Sequence, residues 1–183
     1  GVAALVAALE ARDHDTAEHS RQVVGLATAV ARRLGLDETA TATVEHVAIL
    51  HDVGKVAVPD SILQKPGPLN DAEWEVMRQH AAVGARIVAS ARTLAHHAAP
   101  IRAEHERWDG GGYPDGLRGE EIPIASRITI ACDAYHAMTS SRPYRAARSD
   151  AEARAELLAN AGTQFDPHVV DALLRELNAS RPD

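Results

Sequence analysis

A histidine and an aspartate stand side by side at His51 and Asp52, and Gly54 and Lys55 follow almost at once. A neutral imidazole and a carboxylate are both good ligands for divalent transition metals, and an aspartate has two oxygens with which to bridge two ions. Lys55 adds a positive charge suited to a phosphate. The pattern indicates metal-assisted hydrolysis, with Asp52 and Lys55 as catalytic residues, although a His-Asp pair taken alone is more often a hydrogen-bonded pair on a helix surface.

Further candidate metal ligands are spread over several segments of the chain. They are Asp15, His19, His80, Glu104, His105 and Asp133. Asp15 and His19 are four residues apart and share one face of a helix, and Glu104 and His105 repeat the adjacent pattern of the first pair. The alternatives are a solvated polar face for Asp15 and His19, and a hydrogen-bonded pair at a loop entrance for Glu104 and His105. Ligands drawn from separate helices are what a polynuclear site in a helical bundle requires.

Charged residues in and after one apolar stretch extend this pattern. Asp133 lies in an otherwise apolar helical run, 128–134, where a carboxylate without a partner is costly to bury, so we expect a metal or a cation beside it. Arg142 and Arg145 follow just past the end of that run. They can reach a phosphate held at the metals, whereas in an exposed turn they would have no such role.

Helical spacing of apolar residues predicts the elements that carry these side chains. One helix is predicted from Asp13 to Leu34, and a second from about Glu38 to Val53. Asn70 and Glu73 have the spacing of a capping box at the start of a third helix. Its predicted apolar face consists of Trp74, Met77, Ala81, Gly84, Ile87 and Val88.

The second half of the chain predicts more helices around one loop. Thr93 to Glu104 is predicted to be helical with an interruption at Pro100, and the glycine-rich stretch 108–119 is predicted to be a loop. Further helices are expected to open at Pro123, Ser149 and Asp166. Because no segment alternates with a period of two residues, the predicted class is all-α, a compact bundle of about seven helices.

Composition excludes several classes of protein. The chain is 45% hydrophobic but only 3% aromatic, so its core must consist of aliphatic residues, and a net charge of -7 argues against binding a nucleic acid polymer. Cys132 is the single cysteine, which excludes an intramolecular disulfide and agrees with a cytoplasmic location; we expect it in the core. No apolar run has the length of a membrane span.

We expect one domain over residues 1–183, because the length suits a single core and no linker-like stretch divides it. The chain begins within a helical pattern and without a methionine. We therefore interpret it as a piece of a longer protein with a sensory or regulatory region upstream.

Many short motifs occur here in the order and spacing of one known family. They are Arg12-Asp13, His19-Ser20, His51-Asp52-Val53-Gly54-Lys55, Pro59-Asp60-Ser61-Ile62-Leu63, Lys65-Pro66-Gly67, His80, His105-Glu106-Arg107-Trp108-Asp109-Gly110, Gly112-Tyr113-Pro114, Gly116-Leu117, Ile122-Pro123, Asp133, Arg142-Pro143-Tyr144-Arg145 and Gly162-Thr163-Gln164-Phe165-Asp166-Pro167. The chain resembles the HD-GYP domains, a branch of the HD phosphohydrolase superfamily that degrades the bacterial second messenger cyclic di-GMP.

The resemblance implies roles for individual residues. The implied core metal ligands, with Asp52 as the bridge, are His51, Asp52, His80, His105 and Asp133. His19 matches another site histidine, and Asp15 matches a glutamate that some members associate with a third metal. The positions that match contacts to the cyclic dinucleotide are Asp13, Lys55, Arg142 and Arg145. Iron or manganese is the expected metal, and the ligand types also allow nickel or zinc.

The chain departs from the family at two ligand positions. Glu104 stands where most members have a histidine, which adds negative charge and reduces the Lewis acidity available to a substrate. Asp15 is one methylene shorter than the family's glutamate, so we expect two ions rather than three. His96 and His97 lie outside the matched pattern, and we expect both on the surface.

The expected function is metal-dependent hydrolysis of cyclic di-GMP to the linear dinucleotide, GMP, or both. Two alternatives remain: a catalytically weak receptor or interaction domain, favoured by Glu104, and a phosphodiesterase for another cyclic dinucleotide. The expected partners are cyclic di-GMP, a diguanylate cyclase-type domain docked on the Gly112-Tyr113-Pro114 loop, and a second copy of the chain in a homodimer.

Overall fold

The structure, a computed structural model, describes residues 17–141 and 146–180, with side chains from residue 20 onward. Its α-helices are α1 (Ala17–Arg33), α2 (Glu38–Leu50), α3 (Asp60–Leu63), α4 (Asp71–Ser90), α5 (Ala98–Arg102), α6 (Ile124–Thr139), α7 (Asp150–Ala159) and α8 (Pro167–Ala179). Short 3-10 turns occupy Val53–Ala57, Ala95–His97 and Gly119–Glu121. These ranges contain no β-strand, so the predicted all-α class is confirmed.

The core lies where α1, α2 and α6 pack against one another. Its completely buried side chains are aliphatic and small, as the composition predicts. They include Val23, Ala27, Val30, Val44, Val47, Ile128, Ala131 and Cys132. Around this centre, α4 packs against α5 and the Val53–Ala57 turn, while α8 packs against α1 and α6. None of the helices in the described residues is long and apolar enough to span a membrane.

Local capping interactions begin three of the helices as predicted. Asn70 and Glu73 form a complete capping box before α4, and Ser149 and Glu152 form another before α7. Asp166 accepts a hydrogen bond from the backbone N–H of His168 at the start of α8. Each such cap contributes about 0.5–2 kcal/mol, so neighbouring residues favour each of these helix starts.

Three predicted boundaries are wrong. The second helix ends at Leu50 rather than Val53, because a 3-10 turn takes over at Val53. Pro100 does not interrupt a helix: it lies within the first turn of α5, where its missing N–H has no intrahelical acceptor to lose. The remainder of the predicted 93–104 helix is a 3-10 turn and loop.

Two side chains are placed differently from the prediction. Trp74 is 44% exposed, so it does not belong to the apolar face of α4. His97 was expected on the surface, but it is only 1% exposed because the Ala95–His97 turn packs against α2 and α4. The predicted start of the first helix, Asp13, lies outside the described residues.

One backbone contact brings the His51-Asp52 segment against α4. Gly54 approaches so closely that a Cβ atom there would lie 1.9 Å from the carbonyl oxygen of His80 and 2.6 Å from the backbone nitrogen of Gly84. No residue with a side chain fits this gap without moving the backbone. Gly54 therefore determines how closely the turn after Asp52 approaches His80.

We expect Gly54→Ala to lower the free energy of unfolding by about 1–3 kcal/mol or more, because the new methyl group collides with backbone atoms that cannot rotate away. The matched control is Gly25→Ala, on the exposed face of α1 with open space around it. That change should stabilise the protein by up to about 1 kcal/mol through helix propensity. Urea denaturation in the presence of a chelator measures both, and equal stabilities of the two variants would contradict the packing argument.

Candidate metal centre

Two histidines of the predicted site are oriented by the backbone of their own helices. His51 follows α2, and its Nδ1 lies 2.8 Å from the carbonyl oxygen of Ala48. His80 lies within α4, and its Nδ1 lies 2.6 Å from the carbonyl oxygen of Met77. A carbonyl only accepts hydrogen bonds, so each Nδ1 donates its hydrogen. In the neutral ring this leaves a lone pair on Nε2, the state in which an imidazole binds metal.

His80 meets Glu104 and His105 at the centre of the site. Nε2 of His80 lies 3.0 Å from Nε2 of His105 and 3.0 Å from Oε1 of Glu104. Nε2 of His105 is 3.7 Å from the same Oε1. One ligand atom from each of the three residues thus lies within 4.8 Å of the others, a spacing that can hold a metal ion.

The burial of Glu104 shows that this cluster suits a cation. Glu104 is only 2% exposed, and neither of its carboxylate oxygens has a well-oriented hydrogen-bond partner. An uncompensated buried carboxylate costs several kcal/mol. Burial by itself would lower the pKa of His80, but the neighbouring Glu104 raises it, so a proton on Nε2 of His80 takes the place of a cation when none is bound. A divalent cation satisfies all three groups at once.

Asp52 links this cluster to His51. Its Oδ1 lies 3.9 Å from Nε2 of His80, while its Oδ2 lies 3.4 Å from Nε2 of His51 and 2.8 Å from Nζ of Lys55. The carboxylate therefore faces a histidine on each side. Lys55 forms an ion pair with Asp52.

The electrostatics of the site favour bound cations. Burial by itself would lower the pKa of His51, but Asp52, Asp133 and Glu104 raise that pKa to about 10. Burial raises the pKa of Glu104 to about 7 and lowers that of His105 to about 3. Burial would also raise the pKa of Asp52, but Lys55 and His51 hold it well below its usual range.

Asp133 on α6 lies close enough to raise the pKa values of His51 and His105. It is half-buried rather than enclosed, while its neighbour Cys132 is fully buried in the core as predicted. Four predicted site residues, Asp13, Asp15, Arg142 and Arg145, lie outside the described residues. His19 lies in α1, and its side chain is not among those described.

The glycine-rich loop covers one side of His105. The Tyr113 ring stacks on the His105 ring, with centroids 5.0 Å apart and planes at 19°, and the Tyr113 backbone N–H donates to the His105 carbonyl. A Cβ on Gly112 would lie 2.3 Å from the backbone nitrogen of Arg107, so this approach requires glycine. Glu106, buried beside it, accepts hydrogen bonds from the N–H groups of Asp115 and Gly116.

A pocket of about 270 Å³ opens beside this loop and contains two arginines that sequence reasoning missed. Arg78 lies 5.5 Å from the centre of the Tyr113 ring, and Arg107 is held by two hydrogen bonds to Asp109. His105 also lines the pocket, so the arginines border the metal cluster. Only the position of Arg107 within the Glu106-Arg107-Trp108 motif could have indicated it, and nothing in the sequence indicates Arg78.

Comparison with known proteins identifies the family. The HD domain profile matches residues 4–169 of this chain. The chain belongs to the HD domain family. The resemblance to the HD-GYP branch is confirmed, and HD-domain phosphohydrolases are metal-dependent, in agreement with the cluster at His80, Glu104 and His105.

Curated relatives share about two-fifths of their residues with this chain. It is 42% identical to the cyclic di-GMP phosphodiesterase response regulator RpfG of Xanthomonas campestris, over 93% of this chain and 46% of RpfG. It is 41% identical to 3′3′-cGAMP-specific phosphodiesterase 2 of Vibrio cholerae, over 98% of this chain and 36% of that protein. The chain thus spans less than half of either relative.

A solved structure shares the fold. The cyclic GMP-AMP specific phosphodiesterase V-cGAP3 of Vibrio cholerae superposes with a TM-score of 0.77 at 20% identity, covering 97% of this chain and 48% of that one. At this identity the likeness concerns the fold. It agrees with the helical bundle described above.

We expect Mn²⁺ binding to release protons and to strengthen as the pH rises from 6 to 8. Glu104, with a pKa of about 7, and His51, with a pKa of about 10, both hold protons that a metal must displace. Calorimetric titration in two buffers of different ionisation enthalpy counts the released protons. Glu104→Gln should release fewer protons at pH 7, and a heat independent of buffer in the unaltered protein would refute the assignment.

Proposed function

We propose that this domain is a metal-dependent phosphodiesterase that hydrolyses cyclic di-GMP to the linear dinucleotide, GMP, or both. The observation that supports this most is the meeting of His80, Glu104 and His105, with one ligand atom from each within 4.8 Å of the others. Membership of the HD domain family gives the same class of chemistry.

The proposed metal ligands are those inferred from sequence: His51, Asp52, His80, Glu104, His105 and Asp133, with Asp15 and His19 as candidates for a third ion. Two divalent ions, iron or manganese, are proposed. Bound there, they supply Lewis acidity to the scissile phosphate and a strong nucleophile from water at neutral pH.

The residues of the chain hold and orient the reacting groups. Lys55 and His51 fix the Asp52 carboxylate from one side, leaving its Oδ1 towards His80. Tyr113 covers one face of His105 and limits the motion of that ring. Arg78 and Arg107, which pair with Glu75 and Asp109, line the adjoining pocket and are proposed to donate hydrogen bonds to the phosphates of the substrate. Asp13, Arg142 and Arg145 are proposed to complete substrate binding.

A hybrid cyclic GMP-AMP is the second candidate substrate. One relative, 41% identical over 98% of this chain, is named 3′3′-cGAMP-specific, while another at 42% is named a cyclic di-GMP phosphodiesterase. Overall identity therefore does not separate the two substrates. Supplying both to the same preparation and comparing initial rates decides between them.

Two protein contacts are part of the proposal. The Gly112-Tyr113-Pro114 loop is proposed to dock a diguanylate cyclase-type domain, since Pro114 and Asp115 are exposed while Tyr113 contacts His105. A partner bound there would touch the same loop that covers a proposed metal ligand. A homodimer is also proposed, and a cytoplasmic location is proposed because the single cysteine agrees with a reducing compartment.

The deciding experiment is anaerobic incubation with cyclic di-GMP and Fe(II) or Mn(II), followed by chromatography of the products. We expect metal-dependent linear dinucleotide or GMP from the unaltered chain and a loss of at least about a hundredfold in rate for Asp52→Ala, which removes the carboxylate between His51 and His80. Asp52→Asn keeps the shape and serves as the matched variant. Intact substrate with both metals would favour a receptor, and an active Asp52→Ala would refute the role of Asp52.

We expect Glu104→His to raise turnover several-fold, because a neutral imidazole removes one buried negative charge from the cluster. The measurement is the kcat of both forms at saturating manganese, with metal content determined in parallel. An unchanged kcat, or loss of bound metal, would mean that the carboxylate is a ligand to which the rest of the site is adapted.

A further inference from the structure

Three histidines meet at a surface pocket outside the proposed metal centre. His46 lies on α2, and His96 and His97 lie on the Ala95–His97 turn that packs against it. The ring centroids of His46 and His97 are 4.9 Å apart, and those of His96 and His97 are 3.8 Å apart. All three residues line a pocket of about 340 Å³.

His97 is the unusual member of this group. It is 1% exposed, yet both of its ring nitrogens are buried without a hydrogen-bond partner. A neutral imidazole has one N–H and one lone pair, and leaving either unpaired in the interior costs about 1–3 kcal/mol. The two unpaired ring nitrogens therefore need a bound partner, either an ordered water molecule or an ion.

The surroundings of His97 favour a cation that binds neutral imidazole. Burial, followed by the neighbouring His96 and His46, lowers the pKa of His97 to about 4, so the ring is uncharged at neutral pH and a lone pair is available. Glu38 and the hydroxyl-bearing Thr39 and Thr43 line the same pocket and can offer oxygen ligands or hold water. Imidazoles in sets of two or three suit zinc, nickel and copper.

The three rings are neighbours, and rotation is needed to bring their nitrogens onto one ion. Among the described residues, three ligand atoms already lie within 4.8 Å of one another at His80, Glu104 and His105, whereas the nitrogens of His46, His96 and His97 do not. His46 is half-buried and His96 is exposed, so either ring can rotate to complete the set. We propose that His97 and His46, with His96 at the rim, bind a divalent transition-metal ion of the zinc, nickel and copper class.

Such an ion would join two elements that lead into the proposed catalytic centre. Along α2, His46 precedes His51 by five residues, and His97 precedes Glu104 by seven through α5. An ion held between α2 and the Ala95–His97 turn would therefore fix the starts of the two chain segments that lead to His51 and to Glu104. Because it binds the folded state alone, it should also raise the melting temperature.

The test is zinc binding by the full chain, freed of any affinity tag, with metal content measured after gel filtration. His46→Gln is the main variant, since the side chain is half-buried and its loss leaves the core intact. We expect His46→Gln to lose about one bound zinc per chain and most of the zinc-dependent rise in melting temperature. His168→Gln, an exposed histidine on α8, should change neither.

Two further variants separate this site from the main centre. Asp52→Ala should keep the zinc that His46→Gln loses, because the two clusters share no ligand. His96→Gln should weaken binding of that zinc by at least about tenfold, since it removes a ligand from the rim. The proposal is overturned if His46→Gln binds as much zinc as the unaltered chain, or if the ion lost in His46→Gln is also lost in Asp52→Ala.

Discussion

A buried carboxylate is the constraint on which this site depends. Glu104 is almost completely enclosed, and the positive charge near it comes from protonated His51 and His80, the same side chains that a metal needs in neutral form. Burial of this kind is stable only with a compensating positive charge. The segments around it bring the histidines His80 and His105 rather than a lysine or arginine. Either protons on histidines or a bound cation must supply the compensation, and a cation satisfies all the ligand groups at once, which is the physical basis for assigning a metal.

The scaffold meets this requirement through a few very close backbone approaches. Gly54 allows the turn after Asp52 to touch α4 at His80, and Gly112 allows the loop to touch the backbone at Arg107. These contacts set the separation of groups that come from distant parts of the chain. The aliphatic core behind them keeps the helices in register, while the capping boxes define where the helices start.

Features set by neighbouring residues were predictable, and features set by distant ones were not. The caps at Asn70, Ser149 and Asp166 follow from short spacings. The grouping of His80, Glu104 and His105 was expected through the resemblance to a known family rather than from the residues alone. In contrast, the burial of His97 and the position of Arg78 over Tyr113 depend on how separate elements pack. The spacing of residues along the sequence does not predict those contacts. The end of α2 at Leu50 was also not predictable, because the turn that follows depends on the close contact between Gly54 and α4.

The hydrogen bonds that orient the rings of His51 and His80 affect how the site captures a metal ion. Both His51 and His80 donate Nδ1–H to a carbonyl three residues earlier, an acceptor within or beside their own helix. Their ring orientation and tautomer are therefore settled once the helix has formed. An arriving ion meets rings that need no rotameric search, so the entropy of ordering them has already been lost during folding. Capture of the ion then requires the ion to shed water and His51 to lose the proton on Nε2, but it requires no rearrangement of these two side chains.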